Sequence, residues 1–278
     1  MKPTFKILAP VFTWLIAGLT LLQVSQSTTL AATSTLSDGN STITFDPSSS
    51  AGVNTWSVNG SDQLNQDWFF VRVGSSGPVL SIDTIGAPTI SQSTANSLDT
   101  TYANSSVSIR INYSLTGGSG GNSALAVGIS IQNLTQNSLQ FYNYGDFSLG
   151  GGMTSTAMGK NLGGLFNEAD VTGANGGFLQ TLVTPGANSG EAALGGVTLG
   201  KFAAGTALSG ALNAGPAPDT TYAFGWNVAG GQSTTLSIIS DLHAVPDHPD
   251  RLLTWIGLGS CLLIIRLVPK LQYRLARA

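Results

Sequence analysis

The chain has little charge, little histidine and almost no cysteine. Only 9% of its 278 residues are charged, two are histidine and one is cysteine. Cys261 lies in an apolar run near the C-terminus, so the rest of the chain forms no disulfide and offers no thiol nucleophile. About 211 residues, Thr33 to His243, remain once both ends are set aside, enough to bury a core without bridges. His243 and His248 both stand close to the C-terminal run, so the main region has no base for a Ser-His-Asp triad and no His/Cys cluster for zinc. Its basic residues are Arg72, Arg110, Lys160 and Lys201. So few cations cannot neutralise a row of phosphates, which excludes nucleic acid as a partner. No P-loop pattern occurs, and the one G-x-S-x-G match, Gly117–Gly121, is part of a Gly-rich turn.

The two ends carry targeting signals. Lys2 and Lys6 precede an apolar run from Ile7 to Val24, and small residues follow at Ala31 and Ala32. That is the layout of a secretory signal peptide over residues 1–32, with an uncleaved N-terminal anchor as the other reading. At the far end, Leu252 to Ile265 is apolar, and Leu267 and Val268 extend it past Arg266. The run is shorter than the usual span of about 20 residues, and Arg266 can snorkel to the interface. Lys270, Arg274 and Arg277 follow it, which places the C-terminus in the cytoplasm and the main domain outside. An amphipathic or buried helix is the alternative. The expected segments are a signal peptide (1–32), a β domain (33–243), a linker (244–251), a transmembrane helix (252–268) and a basic tail (269–278).

Val245, Pro246, Asp247 and Pro249, followed by an apolar helix and a basic end, resemble the PEP-CTERM sorting signal. Asp247 stands where that family has Glu, the second proline comes one residue late, and the tail is less Arg-dense. The resemblance implies signal peptidase and an exosortase-type protease as partners, and delivery to the membrane, cell surface or extracellular matrix. The segments Asn54–Gly60, Asp67–Gly74, Ser81–Ile85, Tyr144–Leu149 and Tyr222–Asn227 are similar to a group of exported proteins that share this signal.

Between the ends, alternation is the main structural signal. Val107, Ile109, Ile111, Tyr113 and Leu115 alternate with polar residues, and so do Leu125, Val127, Ile129 and Ile131 across a Gly-rich turn. This predicts an antiparallel hairpin. Tyr222 to Val228 and Thr235 to Ile239 predict a second. Further strands are expected at Ser41–Asp46, Thr55–Val58, Trp68–Val73, Leu139–Phe147 and Phe178–Val183, with a weaker one at Val197–Phe202. Trp68 to Val71 is apolar on both faces, as in a strand covered on both sides. The Ala/Gly-rich stretches 153–177 and 186–215 fit long loops or one short helix. The predicted fold is all-β, an antiparallel two-sheet sandwich, jelly-roll-like, flanked by the signal and transmembrane helices.

Candidate chemistry is sparse. Glu168 and Asp170 are a carboxylate pair able to serve acid–base hydrolysis or to ligate Ca²⁺, or simply to sit in a solvated loop. Glu191 reads as surface, and Asp62, Asp67 and Asp146 as turn residues bonding their own backbone. Trp56, Trp68, Tyr142 and Tyr144 are candidates for a sugar-stacking platform, though strand aromatics commonly serve the core. The sequence thus predicts no enzyme, no cofactor and no metal. It predicts a non-enzymatic envelope or matrix protein, with a polysaccharide-binding adhesin as the alternative and a glycan-active enzyme behind it.

Overall fold

A computed structural model describes residues 33–244. The expected signal peptide, the expected sorting motif at Val245, Pro246, Asp247 and Pro249, the expected transmembrane helix and the basic tail lie outside the described residues. In chain order the strands are β1 (Ser34–Asp38), β2 (Ser41–Asp46), β3 (Gly52–Val58), β4 (Ser61–Asp62), β5 (Leu64–Val73), β6 (Leu80–Ser81), β7 (Thr89–Thr94), β8 (Ser97–Ala103) and β9 (Val107–Gly117). They continue as β10 (Asn122–Asn133), β11 (Leu139–Phe147), β12 (Thr154–Lys160), β13 (Phe166–Gly173), β14 (Phe178–Ala187) and β15 (Ser189–Leu194). The helix α1 (Val197–Ala204) precedes β16 (Asn213–Ala217), β17 (Thr220–Val228) and β18 (Ser233–His243). Among the described residues no helix is long and apolar enough to cross a membrane.

Two antiparallel sheets form a sandwich. Sheet A runs β1-β2-β3-β5-β11-β17-β15, with β4 and β6 paired at its margins. Sheet B runs β16-β12-β13-β14-β18-β10-β9-β8-β7. The β9–β10 hairpin is as predicted, with Leu125 opposite Leu115 and Ile129 opposite Ile111. In both strands every second residue is buried, so the outer face of sheet B is polar there. The second predicted hairpin does not form. β17 belongs to sheet A between β11 and β15, whereas β18 belongs to sheet B between β14 and β10. The Ala/Gly-rich stretches hold strands, with β12, β13 and β15 within or across them, and the second also holds the one short helix expected there, α1.

The middle of sheet A differs in being buried on both faces. Residues Asp67 to Arg72 of β5 and Phe141 to Phe147 of β11 are all buried. One face of β11 carries Phe141, which stacks on Phe69 at 5.4 Å and meets Trp226 at 6.3 Å. The Trp226 indole donates to the Pro185 carbonyl of β14, which marks this as the face turned to sheet B. The opposite face of β11 carries Tyr142 and Tyr144, and α1 covers part of it. Phe202 of α1 lies 5.0 Å from Tyr142 and 5.1 Å from Phe70. The predicted strand at Val197–Phe202 is therefore a helix. Its apolar residues satisfy a strand pattern equally well, but Gly196 and Gly205, both left-handed, bound one short helical segment that turns Thr198 and Phe202, one turn apart, inward.

Phe202→Ala removes the ring that seats α1 on the sheet. Thermal and urea unfolding should report a loss of about 3–5 kcal/mol. A loss below about 1 kcal/mol would mean that α1 is not held by this contact.

Candidate functional site

The predicted stacking aromatics are not on a surface. Trp56 and Trp68 are fully buried, and Tyr142 and Tyr144 are 5% and 1% exposed. The Trp56 indole donates to Ser123 Oγ at 2.9 Å, and that of Trp68 to Ser81 Oγ at 2.7 Å. Trp68 also packs against Phe45 and Tyr102. Because both faces of this part of sheet A are covered, its aromatics fill the core and offer no free ring for a sugar, which corrects that expectation.

Five carboxylates expected at the surface, in loops or in turns turn out to be structured. Glu168 and Asp170 lie on the strand β13, where Gln180 of β14 donates to Glu168 Oε1 at 2.8 Å. Burial, with the charge of Glu168 added, pushes the Asp170 carboxyl up. Glu191, read as surface, is fully buried on β15. It accepts from Thr198 Oγ1 at 2.7 Å, from the Ser209 amide and hydroxyl at 2.7 Å, and from the Lys201 ammonium. Burial opposes its charge, but these donors outweigh burial and hold it below the usual carboxylate value. The ion pair thus pins α1 and the following loop to β15.

Asp67 is buried between the sheets and accepts from Asn143 Nδ2 at 2.7 Å. Burial pushes its carboxyl up to about 7, and the Asn143 amide only partly opposes this. Asp146 lies across the sheet from it, on the face of β11 that also carries Tyr144. The register sets Asp146 opposite Gln66 on β5 and Thr221 on β17. Asn65 Nδ2 donates to Asp146 Oδ1 at 2.9 Å, and the Tyr144 hydroxyl reaches Oδ2 at 3.4 Å. The Asp219 carboxyl is near enough to act on its charge, although the two make no hydrogen bond among the described residues. Burial is the main reason the Asp146 carboxyl is pushed up to about 6; Asn65 opposes the shift and Asp219 adds to it. Burial also raises the Tyr144 hydroxyl, and the two aspartates raise it further.

Asp219 is held by close backbone approach. The Gly195 amide donates to the Asp219 carbonyl at 3.1 Å, and a Cβ at Gly195 would fall 1.7 Å from the Asp219 carboxylate oxygen. The same segment walls a cavity of about 540 Å³, lined by Leu194, Val197, Lys201, Ser209, Asn213 and Pro216. At the other end of this sheet face, Arg72 donates to Gln140, to the Gly77 carbonyl and, at 2.8 Å, to the Gly205 carbonyl. It makes no ion pair among the described residues. The guanidinium instead faces the carboxyl end of α1, where unpaired carbonyls favour a cation. The described residues contain no group of three or more His, Cys, Asp or Glu arranged to hold a metal.

No protein-family model matches the chain, and no curated protein sequence matches it. Solved structures do. A protein from Escherichia coli K12, described provisionally as an aldose 1-epimerase, superposes with a TM-score of 0.51 at 11% identity, covering 77% of this chain and 99% of that one. The Slr1438 protein from Synechocystis sp. PCC 6803 superposes with a TM-score of 0.50 at 10% identity, covering 77% and 96%. The β-sandwich is therefore of the aldose-epimerase-like fold. This overturns the expectation of a non-enzymatic envelope or matrix protein and of a chain that is not an enzyme, since the fold is shared with a protein described as an aldose 1-epimerase. What the chain does on that scaffold has to come from its own side chains.

The buried Asp67 gives a testable pH dependence. Its folded-state value lies above the ordinary 3.8, so folding favours the neutral acid. Stability from this group is complete below 3.8 and is lost as pH rises through about 7. The slope is up to roughly 1.4 kcal/mol per pH unit in that window. Asp67→Asn should flatten the slope and be the more stable form at mildly alkaline pH in urea titrations. An unchanged slope would place the Asp67 proton elsewhere.

Proposed function

We propose that this chain is a carbohydrate-processing enzyme that works by acid–base catalysis at the Asp146–Asp219 pair. One observation carries the reading: the Asp146 carboxyl, on a buried sheet face, is pushed up to about 6 mainly by burial, with the Asp219 carboxyl adding to the shift. Near pH 6 such a carboxyl is partly protonated and can give a proton, the property a general acid needs. Paired acid–base groups of this kind suit interconversion of sugar anomers, the reaction named for the Escherichia coli structure of the same fold.

The chemistry needs one acid and one base. Asp219 takes the proton from the anomeric hydroxyl as the bond between C1 and the ring oxygen breaks. Asp146 gives its proton to that ring oxygen, and the product is the open-chain aldehyde. Rotation about the C1–C2 bond and the reverse proton transfers close the ring as the other anomer. Tyr144 and Asn65 hold the Asp146 carboxyl in place. Export is part of this proposal. It is supported by the Lys2/Lys6 and Ile7–Val24 leader, and the Val245–Pro249 segment with its apolar run supports surface delivery through exosortase-type processing.

Polarimetry of freshly dissolved α-D-glucose and α-D-galactose tests the activity. The wild-type protein should accelerate mutarotation, with a rate that falls as pH rises through about 6, because Asp146 must carry the proton it donates. Asp146→Asn and Asp219→Asn should each lower kcat/KM by about 10²–10⁴ while leaving the circular dichroism unchanged. A wild-type rate equal to the buffer rate, or full activity in both variants, would refute the proposal.

A further inference from the structure

Gly128 sits in the middle of β10, a central strand of sheet B, and nothing in the fold requires a glycine there. Its backbone is not left-handed, and a Cβ built on it meets no atom within 4 Å. Glycine weakens a strand interior, and an unforced one marks a place where something approaches the backbone closely. Here it forms the floor of a cavity of about 310 Å³ on the outer face of sheet B, lined also by Asp99, Arg110, Asn112, Ser130 and Thr235.

These residues come from four adjacent strands in fixed register. Asp99 of β8 is opposite Asn112 of β9, which is opposite Gly128 of β10. Arg110 is opposite Ser130, which is opposite Thr235 of β18. The Arg110 guanidinium donates through Nε and Nη2 to one oxygen of Asp99, at 3.2 and 3.1 Å. The second Asp99 oxygen and Arg110 Nη1 carry no hydrogen bond among the described residues, and neither do the Asn112 amide or the Ser130 and Thr235 hydroxyls. The floor is bare backbone, and the walls offer a carboxylate, a guanidinium, an amide and two hydroxyls on rigid strands. Adjacent hydroxyls of a sugar ring, which both donate and accept, match this set, whereas a simple anion would meet the Asp99 charge.

We propose that this pocket is a secondary saccharide-binding site, seated on Gly128 and distinct from the Asp146–Asp219 pair. Its size is at the small end of the range for small-molecule pockets, about 300–1,000 Å³, and suits one sugar unit. It does not rest on the epimerase reading: a non-catalytic hold on one unit of a longer glycan survives the failure of that reading, and the reverse is also true.

Amide chemical-shift titration of the protein with D-glucose, D-galactose and maltopentaose tests it. The expected result is saturable shifts at Asn112, Gly128 and Thr235. Gly128→Val places a β-branched side chain on the pocket floor. It should weaken these shifts by about tenfold or more, while the melting temperature stays level or rises because valine is the better strand residue. Mutarotation rates should not change. Sugar shifts confined to the surroundings of Asp146 would overturn the proposal, as would no saturable shift with any of the three sugars. Shifts with inorganic phosphate alone, or a Gly128→Val variant of lower stability, would overturn it too.

Discussion

The ladder of β5, β11 and β17 is the constraint on which the rest of the molecule depends. β11 is paired along its whole length on both sides, so its backbone is satisfied within the sheet and both of its faces can be covered. The face toward sheet B is filled by Phe141, Phe69 and Trp226, and the other face is partly covered by α1 through Phe202. A carboxyl on such a strand loses its hydration whichever way it points. That is why Asp67 and Asp146, on opposite faces of one ladder, both have raised carboxyls.

What separates the buried carboxyls is their company. Glu191 has a lysine, two hydroxyls and a backbone amide around it, and it stays ionised as a clamp for α1. Asp67 has one amide partner deep between the sheets and serves the core. Asp146 has an amide, a phenol and a second carboxyl, next to a segment that also walls a cavity. Of the three, Asp146 is the one whose raised carboxyl has a second carboxyl adding to the shift. Coverage of sheet A is thus also what tunes the site.

Much of the fold was legible in the sequence because alternation reports burial. Ser41–Asp46 and Leu139–Phe147 are strands with the predicted bounds, and the apolar run at Trp68–Val71 lies in a strand covered on both faces. Alternation does not name a strand's partner, so β17 and β18, adjacent in sequence with a Gly-Gly turn between them, end in different sheets. It also fails for a two-turn segment such as Val197–Ala204, where the bounding glycines decide. The site was far less legible. Asp146 and Asp219 are 73 positions apart and meet through the β11–β17 pairing. Glu191 looked exposed among glycines and alanines because its lysine partner lies on a helix that was read as a strand. Strand aromatics suggested a platform, but composition cannot tell a covered face from an open one.

The measurement that bears most directly on this account is a carboxyl carbon titration by NMR, with Asp146 assigned from the Asp146→Asn spectrum. The account predicts that the Asp146 carboxyl titrates near 6, and that it moves back toward the ordinary carboxylate range when Asp219→Asn removes the facing charge. An Asp146 carboxyl that titrates in the ordinary range in the wild-type protein, unmoved by the loss of Asp219, would contradict the coupling of the two carboxyls and with it the proposed chemistry.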